Sequence, residues 1–194
     1  QRFLSNSAIA SMGYDLPAAI GACMAAHDPE FEGDGYSKHD IILLTGEGSI
    51  QMNIQELQTI IHHKMPIKIF LINNGGYHSI RQTQKNFFGE PLVGIGVDSH
   101  DLSFPDMEKL AAAYGYPYVV AHHNEEVAGA VEKTLAMDGP VICEFYVTTD
   151  QNFEPKSSAK RLPDGTLVSP PLEDLSPFLP DEEMDKLMII PRIK

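Results

Sequence analysis

The sequence predicts an α/β fold in which a parallel sheet lies between layers of helices. The apolar run over 41–44 lacks polar alternation, which is typical of a strand buried on both faces of a parallel sheet, and a second strand is predicted over 67–72. Between them, apolar residues recur at helical spacing from 50 to 61. Strand and helix patterns go on alternating to about residue 147, and this order favours a three-layer arrangement with helices on both faces.

The first predicted helix covers residues 13–27. Pro17 stands near its start, where proline is tolerated, and small side chains follow it. A polar, glycine-rich loop is predicted over 28–40, before the strand of residues 41–44, which we expect to stop at Gly46.

The helix after that strand is predicted to end before Met65, and the strand over 67–72 to stop at the Asn-Asn-Gly-Gly segment. We interpret residues 86–101 as a long loop, because they contain glycines, a proline and no clear period. Ser103 to Asp106 resembles a capping box before a helix that runs to about Tyr114.

The remaining elements are a strand over 118–120, a helix capped by Asn124 that runs to about Met137, and a strand over 141–147. Half of the 14 prolines fall after residue 149, together with acidic clusters. We therefore place one domain in residues 1–150 and a proline-rich, irregular C-terminal arm in residues 151–194.

The composition excludes several classes of function. The net charge of 14 − 27 = −13 argues against binding to nucleic acid or to an anionic membrane surface. No apolar run approaches the roughly 18–20 residues needed to span a bilayer. Cys23 and Cys143 are too far apart for a disulfide framework or a zinc cluster, so we expect buried, reduced thiols in a cytoplasmic protein. Because Gln1-Arg2-Phe3 is neither an initiator methionine nor a signal peptide, we expect a piece of a longer protein.

Polar, glycine-rich turns follow the two central strands. Glu47 lies in the first turn, and Asn74 lies 74 − 47 = 27 positions later in the second. Either turn taken alone has a purely structural explanation. Together they place two oxygen ligands at one edge of a parallel sheet, which suits Mg²⁺ and a phosphate group held at a helix start.

These turns resemble the signature of a known family. Gly46-Glu47-Gly48-Ser49 with Asn73-Asn74 resembles the GDG-to-NN signature of thiamine-diphosphate-dependent enzymes. Residues 11–21 and 51–57 resemble the segments on either side of that turn in acetolactate synthase and its relatives. The resemblance covers about residues 1–150 and implies the thiamine-diphosphate-binding fold, Mg²⁺ as second cofactor, and decarboxylase or carboligase activity on 2-keto acids. It leaves an FAD requirement undecided.

The resemblance also implies roles for individual residues. Glu47, the Asn74 side chain and the backbone carbonyl of Gly76 would bind Mg²⁺. Met12 would wedge between the two rings of the cofactor and hold it bent, and His78 is a candidate substrate-facing group. The residues implied to contact the cofactor are Ala10, Met12, Gly46, Gly48, Ser49, Asn74, Gly76 and Tyr77.

Two departures from the family pattern stand out. Glu47 replaces the usual aspartate and is one methylene longer, so we expect weaker or altered metal binding, because Mg²⁺ demands near-ideal octahedral geometry. The 46 residues before Glu47 cannot hold the pyrimidine-binding domain that supplies the family's activating glutamate. We therefore expect an inactive isolated chain whose partners are that domain, a 2-keto acid and further copies in a homo-oligomer.

Two alternatives remain open at the level of sequence. The first alternative is a related lyase or decarboxylase that acts on another keto acid or an activated sugar. It stays open because residues 75–88 lack the tryptophan of typical acetolactate synthases. A non-catalytic cofactor-binding subunit is the other. Arg81 is expected either to attract an anionic substrate or to form a surface salt bridge, and the paired histidines at 62–63 and 122–123 are expected to be solvated.

Overall fold

The computed structural model describes residues 2–6, 9–27, 41–151 and 154–192. The helices are α1 (Asp15–Ala26), α2 (Glu47–Ile50), α3 (Glu56–His62), α4 (His78–Phe87), α5 (Met107–Tyr114), α6 (Asn124–Ala136) and α7 (Asp181–Leu187). The strands are β1 (Ile41–Gly46), β2 (Ile67–Asn73), β3 (Tyr118–Ala121), β4 (Val141–Tyr146), β5 (Lys160–Arg161) and β6 (Leu167–Val168). The predicted loop over 28–40 lies outside the described residues. The chain divides into two compact units, Gln1–Thr149 and Asp150–Lys194.

The first unit is built on a parallel four-stranded sheet with the order β1-β2-β4-β3. Because β1 and β2 are parallel neighbours, their carboxyl ends lie together, and Gly46 pairs with Ile72. The turns that follow these two strands therefore meet at one edge of the sheet. The predicted parallel sheet is confirmed.

Two apolar clusters cover the two faces of this sheet. Ile67, Ile69 and Leu71 of β2 enter the cluster that α1, α3 and α5 complete. Phe70, the alternate side chain, enters a second cluster to which α6 contributes Ala130. Helices on both faces are thus confirmed by the alternation of side chains along a single strand.

The prediction that β1 is buried on both faces is wrong. Leu43 is buried, but Ile42 and Leu44 are 57% and 63% exposed. β1 is an edge strand, and α6, the helix on the second face, packs on β3 and β4. An unbroken apolar run therefore occurs here in a strand of which the described residues cover one face.

Lys68 breaks the apolar run of β2, yet it is fully buried. Its ammonium group donates to the carbonyl of Gly139 at 2.7 Å and to the carbonyl of Met137. The side chain thereby ties the centre of the sheet to the connection between α6 and β4, where the carbonyls at a helix end need donors.

The helical regions differ from the prediction in two places. The single helix expected over 50–61 is broken into α2, a 3₁₀ turn at Gln51–Asn53, and α3. α4 was not predicted at all. Its buried side chains are Arg81 and Gln82, so the apolar period that identifies a helix is missing.

The predicted caps are each displaced. Asp106, and not Ser103, caps α5, since its carboxylate accepts from the backbone N–H of Lys109 at 3.0 Å. Asn124 is the first residue of α6, and His123 is its N-cap. Glu126 fixes this start, because its carboxylate accepts from the backbone N–H of His123 at 3.1 Å.

The segment after α4 is a loop from Gly89 to Asp101, as expected, and several hydrogen bonds hold its backbone. The Gln84 side chain makes two 2.8 Å hydrogen bonds to the backbone of Val93. The Ser99 hydroxyl oxygen accepts from the backbone N–H of Ile95 at 3.1 Å. Side chains and a single β-bridge between Gly76 and Gly96 satisfy much of the backbone of this loop.

The second unit contains more regular structure than the irregular arm predicted there. β5 and β6 pair in antiparallel fashion, and α7 follows. Asp174 is buried and forms an ion pair with Lys160, which also lies 5.1 Å from the centre of the Phe178 ring.

Cys23 and Cys143 are buried and free, as predicted. Over the described ranges, no helix combines the length and the apolar character needed to cross a bilayer.

Candidate functional site

The candidate site is centred on Glu47, which is 1% exposed at the start of α2. Gly46, in extended conformation, ends β1 and turns the chain into this helix. The Glu47 carboxylate crosses to the turn that follows β2, where it accepts from the backbone N–H of Gly76 at 2.6 Å and of Asn74 at 3.4 Å. The structure thus brings together the three residues that the resemblance implies for a metal.

Burial raises the pKa of the Glu47 carboxyl group, and the hydrogen bonds from the turn and the charge of Arg81 only partly oppose this. A carboxylate kept in such surroundings is stabilised by any further positive charge. The electrostatics of the site therefore favour a bound cation.

The Asn74 side chain supplies the second feature of a cation site. Its Oδ1 atom is buried and has no hydrogen-bond partner among the described residues. A buried amide oxygen without a donor is costly, and such atoms are rare in folded proteins. Carboxylate and amide oxygens are ligands that Mg²⁺ accepts, so the donor set fits this metal.

The turn at 74–76 has little freedom to move. Gly75 has a φ of +69°, and a Cβ atom at Gly76 would lie 1.9 Å from the carbonyl oxygen of Ile95. The backbone N–H of Tyr77 donates to that carbonyl at 2.8 Å, and the N–H of Val97 donates to Gly75 at 3.0 Å. The loop after α4 therefore holds the turn in place, and glycine is required at both of its positions.

Tyr77 packs over Gly48, another predicted cofactor contact. A Cβ atom at Gly48 would lie 2.4 Å from the Tyr77 ring, so only glycine allows this approach. The Tyr77 ring meets Phe104 edge-on, with 5.4 Å between ring centres. Phe104 was not predicted as part of the site.

The segment that carries Met12 is attached to the same region through Gly13. The backbone N–H of Gly13 donates to the Ser49 hydroxyl oxygen at 2.9 Å, and the Asn53 amide donates to the Gly13 carbonyl at 2.6 Å. Ser49, predicted to contact a diphosphate, therefore already accepts one hydrogen bond, and its hydroxyl hydrogen can still be donated. Met12 is 45% exposed, and Ala10, at a φ of +52°, precedes it.

Arg81 forms a salt bridge, as one of its two expectations had it, but the guanidinium group is buried and not at the surface. Its attraction of an anionic substrate stays a prediction. Arg81 is 1% exposed, and its Nε atom lies 2.9 Å from the carboxylate of Asp98. Its Nη2 atom lies 3.4 Å from the carbonyl oxygens of both Asn74 and Gly75. The guanidinium group therefore approaches carbonyl oxygens of the turn, whereas the Glu47 carboxylate accepts hydrogen bonds from backbone N–H groups of the same turn.

His78, the candidate substrate-facing group, is the first residue of α4 and lies half-buried with its Nδ1 atom 3.4 Å from Arg81. The histidines at 122 and 123 are exposed, as expected. His62 ends α3 and His63 follows it, both exposed.

Besides Phe104, three residues in or near the site were given no role from sequence, for different reasons. Asn53 lies within residues 51–57, which resemble a family segment, but nothing in that segment distinguishes its side chain from those of its neighbours. Glu144 stands inside the apolar run of β4, and a carboxylate in such a run is a signal that was available. Tyr118 resembles any partly buried strand tyrosine until its contact with Glu144 is known.

Within the described ranges, no three His, Cys, Asp or Glu side chains come together as a metal cluster. A metal at this edge of the sheet would instead be held by one carboxylate, one amide and backbone oxygen atoms.

Comparison with known proteins gives one family model and a set of similar proteins. Residues 1–145 match the family model described as thiamine pyrophosphate enzyme, C-terminal TPP binding domain. The chain is 34% identical over 155 residues to the acetolactate synthase large subunit of Pyropia yezoensis, covering 80% of this chain and 24% of that protein. It is 30% identical over 176 residues to the acetolactate synthase isozyme 2 large subunit of Escherichia coli (strain K12), covering 91% and 29%. The chain spans about a quarter of the length of these curated relatives.

Proposed function

The chain belongs to the thiamine pyrophosphate enzyme family as a C-terminal TPP-binding domain, and from this premise we propose that its described site holds the diphosphate end of the cofactor through Mg²⁺. The metal ligands in this proposal are Glu47, the side chain of Asn74 and the backbone carbonyl of Gly76. The observation that carries it is the buried Oδ1 atom of Asn74, which has no hydrogen-bond partner among the described residues and belongs to the residue whose backbone N–H lies 3.4 Å from the Glu47 carboxylate.

The charge of the chain supports the involvement of a metal. A net charge of −13 repels a diphosphate, and the buried carboxylate of Glu47 would add to that repulsion. A divalent cation held by Glu47 would offset the repulsion between this carboxylate and the diphosphate.

The other predicted contacts surround this metal position. Gly46, Gly48 and Ser49 line the start of α2, where backbone N–H groups suit an anion. Tyr77 covers Gly48 from the side of the second turn. We propose that these residues contact the diphosphate.

Met12 and Ala10 extend the proposed site away from the metal. The exposed side chain of Met12 is free to pack against the ring system of the cofactor, and the Gly13 contacts hold its backbone. In this proposal the carbonyl of Ala10 accepts a hydrogen bond from the cofactor, and His78 faces the substrate.

When bound, thiamine diphosphate supplies the nucleophilic carbon and the electron sink for reactions of 2-keto acids. The chain's own residues would bind the metal, orient the cofactor and fix its bent shape. We propose that the whole protein is a cytoplasmic transferase or lyase, a 2-keto acid decarboxylase or carboligase similar to acetolactate synthase. Its pyrimidine-binding domain would come from the same full-length chain or a partner subunit of a homo-oligomer. Within this chain we assign cofactor binding to residues 1–150, not to the 151–194 arm.

Calorimetric titration with thiamine diphosphate tests this function. Binding to wild type is expected in Mg²⁺ and not in EDTA, and thiamine without its diphosphate is expected not to bind. Asn74→Ala should weaken binding at least about tenfold, because it removes one oxygen ligand. Asn86→Ala, on the exposed side of α4, is the matched control and should bind like wild type.

Binding that is unaffected by EDTA, or by loss of the Asn74 side chain, would contradict the proposed site. The substrate class is tested separately by CO₂ release from a panel of 2-keto acids, with the full-length protein and with the isolated chain. Turnover is expected for the former and none for the latter.

A further inference from the structure

A chain of polar side chains with a buried carboxylate at its centre crosses three strands of the sheet below the proposed metal site. Glu144 of β4 is fully buried, and its Oε1 atom accepts from the Asn73 amide at 2.6 Å. Its Oε2 atom accepts from the hydroxyl of Tyr118 in β3. The carboxylate thus bridges the last residue of β2 to the edge strand.

Asn73 connects this chain to the turn. Its Nδ2 atom points to Glu144, and its Oδ1 atom accepts from the backbone N–H of Gly75 at 3.0 Å. An ionised carboxylate can only accept hydrogen bonds, so Glu144 determines which end of the Asn73 amide faces the sheet. The reversed amide would place two acceptors together on one side and two donors together on the other.

The orientation of Asn73 bears directly on the site, because Gly75 lies between Asn74 and Gly76, whose backbone N–H groups both donate to the Glu47 carboxylate. Asn74 contributes the unpartnered Oδ1 atom, and Gly76 donates its backbone N–H to Glu47. We propose that Glu144 is a positioning residue, which orients Asn73 so that the turn presents Asn74 and Gly76 to the metal. This inference rests on the proposed function, since it concerns the same site.

Core packing alone does not account for a carboxylate at this place. Burying a charge in an apolar sheet is unfavourable, and an apolar side chain of similar volume would avoid that cost. The residues beside it in the strand, Cys143 and Phe145, are apolar. The partners of Glu144 lie on two other strands, which is the arrangement expected of a residue that fixes the geometry of a strand end.

Four variants separate positioning from general stability. Glu144→Met removes the acceptor, and Asn73→Ala removes the connection to Gly75 while leaving Glu144 with Tyr118. Glu144→Gln keeps an oxygen acceptor for Asn73. Tyr118→Phe is the matched control, because it removes the other hydrogen bond of the same carboxylate.

The first measurement is Mn²⁺ affinity of the chain by electron paramagnetic resonance, with thiamine diphosphate present. Glu144→Met and Asn73→Ala are expected to weaken Mn²⁺ binding about 10- to 100-fold, as loss of a supporting partner does at metal sites. Glu144→Gln and Tyr118→Phe are expected to stay within about threefold of wild type. The double variant Glu144→Met/Asn73→Ala should be no weaker than the weaker single variant, because both changes break one connection.

Wild-type affinity in folded Glu144→Met, or equal losses in Glu144→Met and Tyr118→Phe, would overturn the inference. If Glu144→Met fails to fold, the Mn²⁺ affinity of Asn73→Ala tests the inference instead, and wild-type affinity in that variant would overturn it.

The second measurement is amide hydrogen exchange at Gly75 by NMR, without metal or cofactor. Exchange should be at least about tenfold faster in Glu144→Met and in Asn73→Ala than in Tyr118→Phe. Equal rates in all three would overturn the inference. If wild type binds no Mn²⁺, the proposed function fails, and the Gly75 exchange rates still decide whether Glu144 positions the turn.

Discussion

Glu47 shows what one methylene group does at this site. Its carboxylate accepts from the backbone N–H groups of Asn74 and Gly76 in the opposite turn, and the shorter of these contacts, to Gly76, is 2.6 Å. An aspartate at this position would end one bond earlier and leave more of the space between the two turns to a metal ion. Altered metal binding relative to the family's aspartate therefore stays a prediction, and the structure gives it a physical cause.

Two glycines with opposite surroundings give a matched test of backbone effects. Gly13 has a φ of +80°, and a Cβ atom there would lie 2.4 Å from the Cβ atom of Met52. We expect Gly13→Ala to lower the free energy of unfolding by about 2 to 4 kcal/mol, from left-handed strain and overpacking together. Gly21, inside α1, has open space around it, and Gly21→Ala should raise the free energy by about 0.5 to 1 kcal/mol.

Urea denaturation of both variants measures this difference. A destabilisation of Gly13→Ala no larger than about 0.5 kcal/mol would mean that the Met12 segment is not held as described.

At the scale of elements, α4 and the loop after it support the turn at 74–76. Asp98 in the loop pairs with buried Arg81 at 2.9 Å and approaches exposed Lys85 at 3.9 Å. We expect Asp98→Asn to cost about 3 kcal/mol, because it leaves the Arg81 guanidinium buried without its counter-charge. Lys85→Gln removes the other partner of the same carboxylate and should cost less than about 0.5 kcal/mol.

Chemical denaturation of these two variants checks the assignment. Similar small losses in both would show that the ion pair of Arg81 contributes no more than a surface pair.

The start of α5 gives a prediction on pH dependence. The hydrogen bond from the Lys109 backbone N–H lowers the pKa of Asp106 from its ordinary value of 3.8. A lowered carboxyl pKa contributes stability above the unfolded value, and that stability is lost as pH falls through the folded value. Asp106→Ala should therefore lower Tm by about 2–4 °C at pH 7, and the difference should shrink below pH 3.8.

Thermal unfolding followed by circular dichroism measures both effects. Asp106→Asn is the control, since asparagine caps helices equally well without titrating. A deficit of Asp106→Ala that persists unchanged to pH 2 would contradict the assigned cap.

At the scale of the whole molecule, the features predicted correctly from sequence are local ones. The apolar runs of β1 and β2 and the glycine-rich turns after them are contiguous in sequence, so the meeting of Glu47 with Asn74 follows from parallel pairing. α4 could not be predicted, because the residues it buries are polar. The exposed face of β1 could not be predicted either, because an apolar run does not reveal whether a helix covers it.

The long-range polar contacts could not be predicted from sequence for a related reason. Glu144 lies 71 positions from Asn73 and 26 from Tyr118, and no spacing rule connects residues so far apart. The burial of Arg81 depends in the same way on Asp98, which belongs to a loop without periodic structure.

The central claim is that Glu47 and Asn74 hold the metal that binds a diphosphate, and titration calorimetry of Glu47 variants tests it most directly. Thiamine diphosphate would be titrated into wild type, Glu47→Gln and Glu47→Asp, each in Mg²⁺ and in EDTA. Glu47→Gln keeps the length and removes the charge, so we predict at least about tenfold weaker binding in Mg²⁺, and an affinity for Glu47→Asp that differs from wild type. Binding to Glu47→Gln in Mg²⁺ as tight as to wild type would contradict the claim.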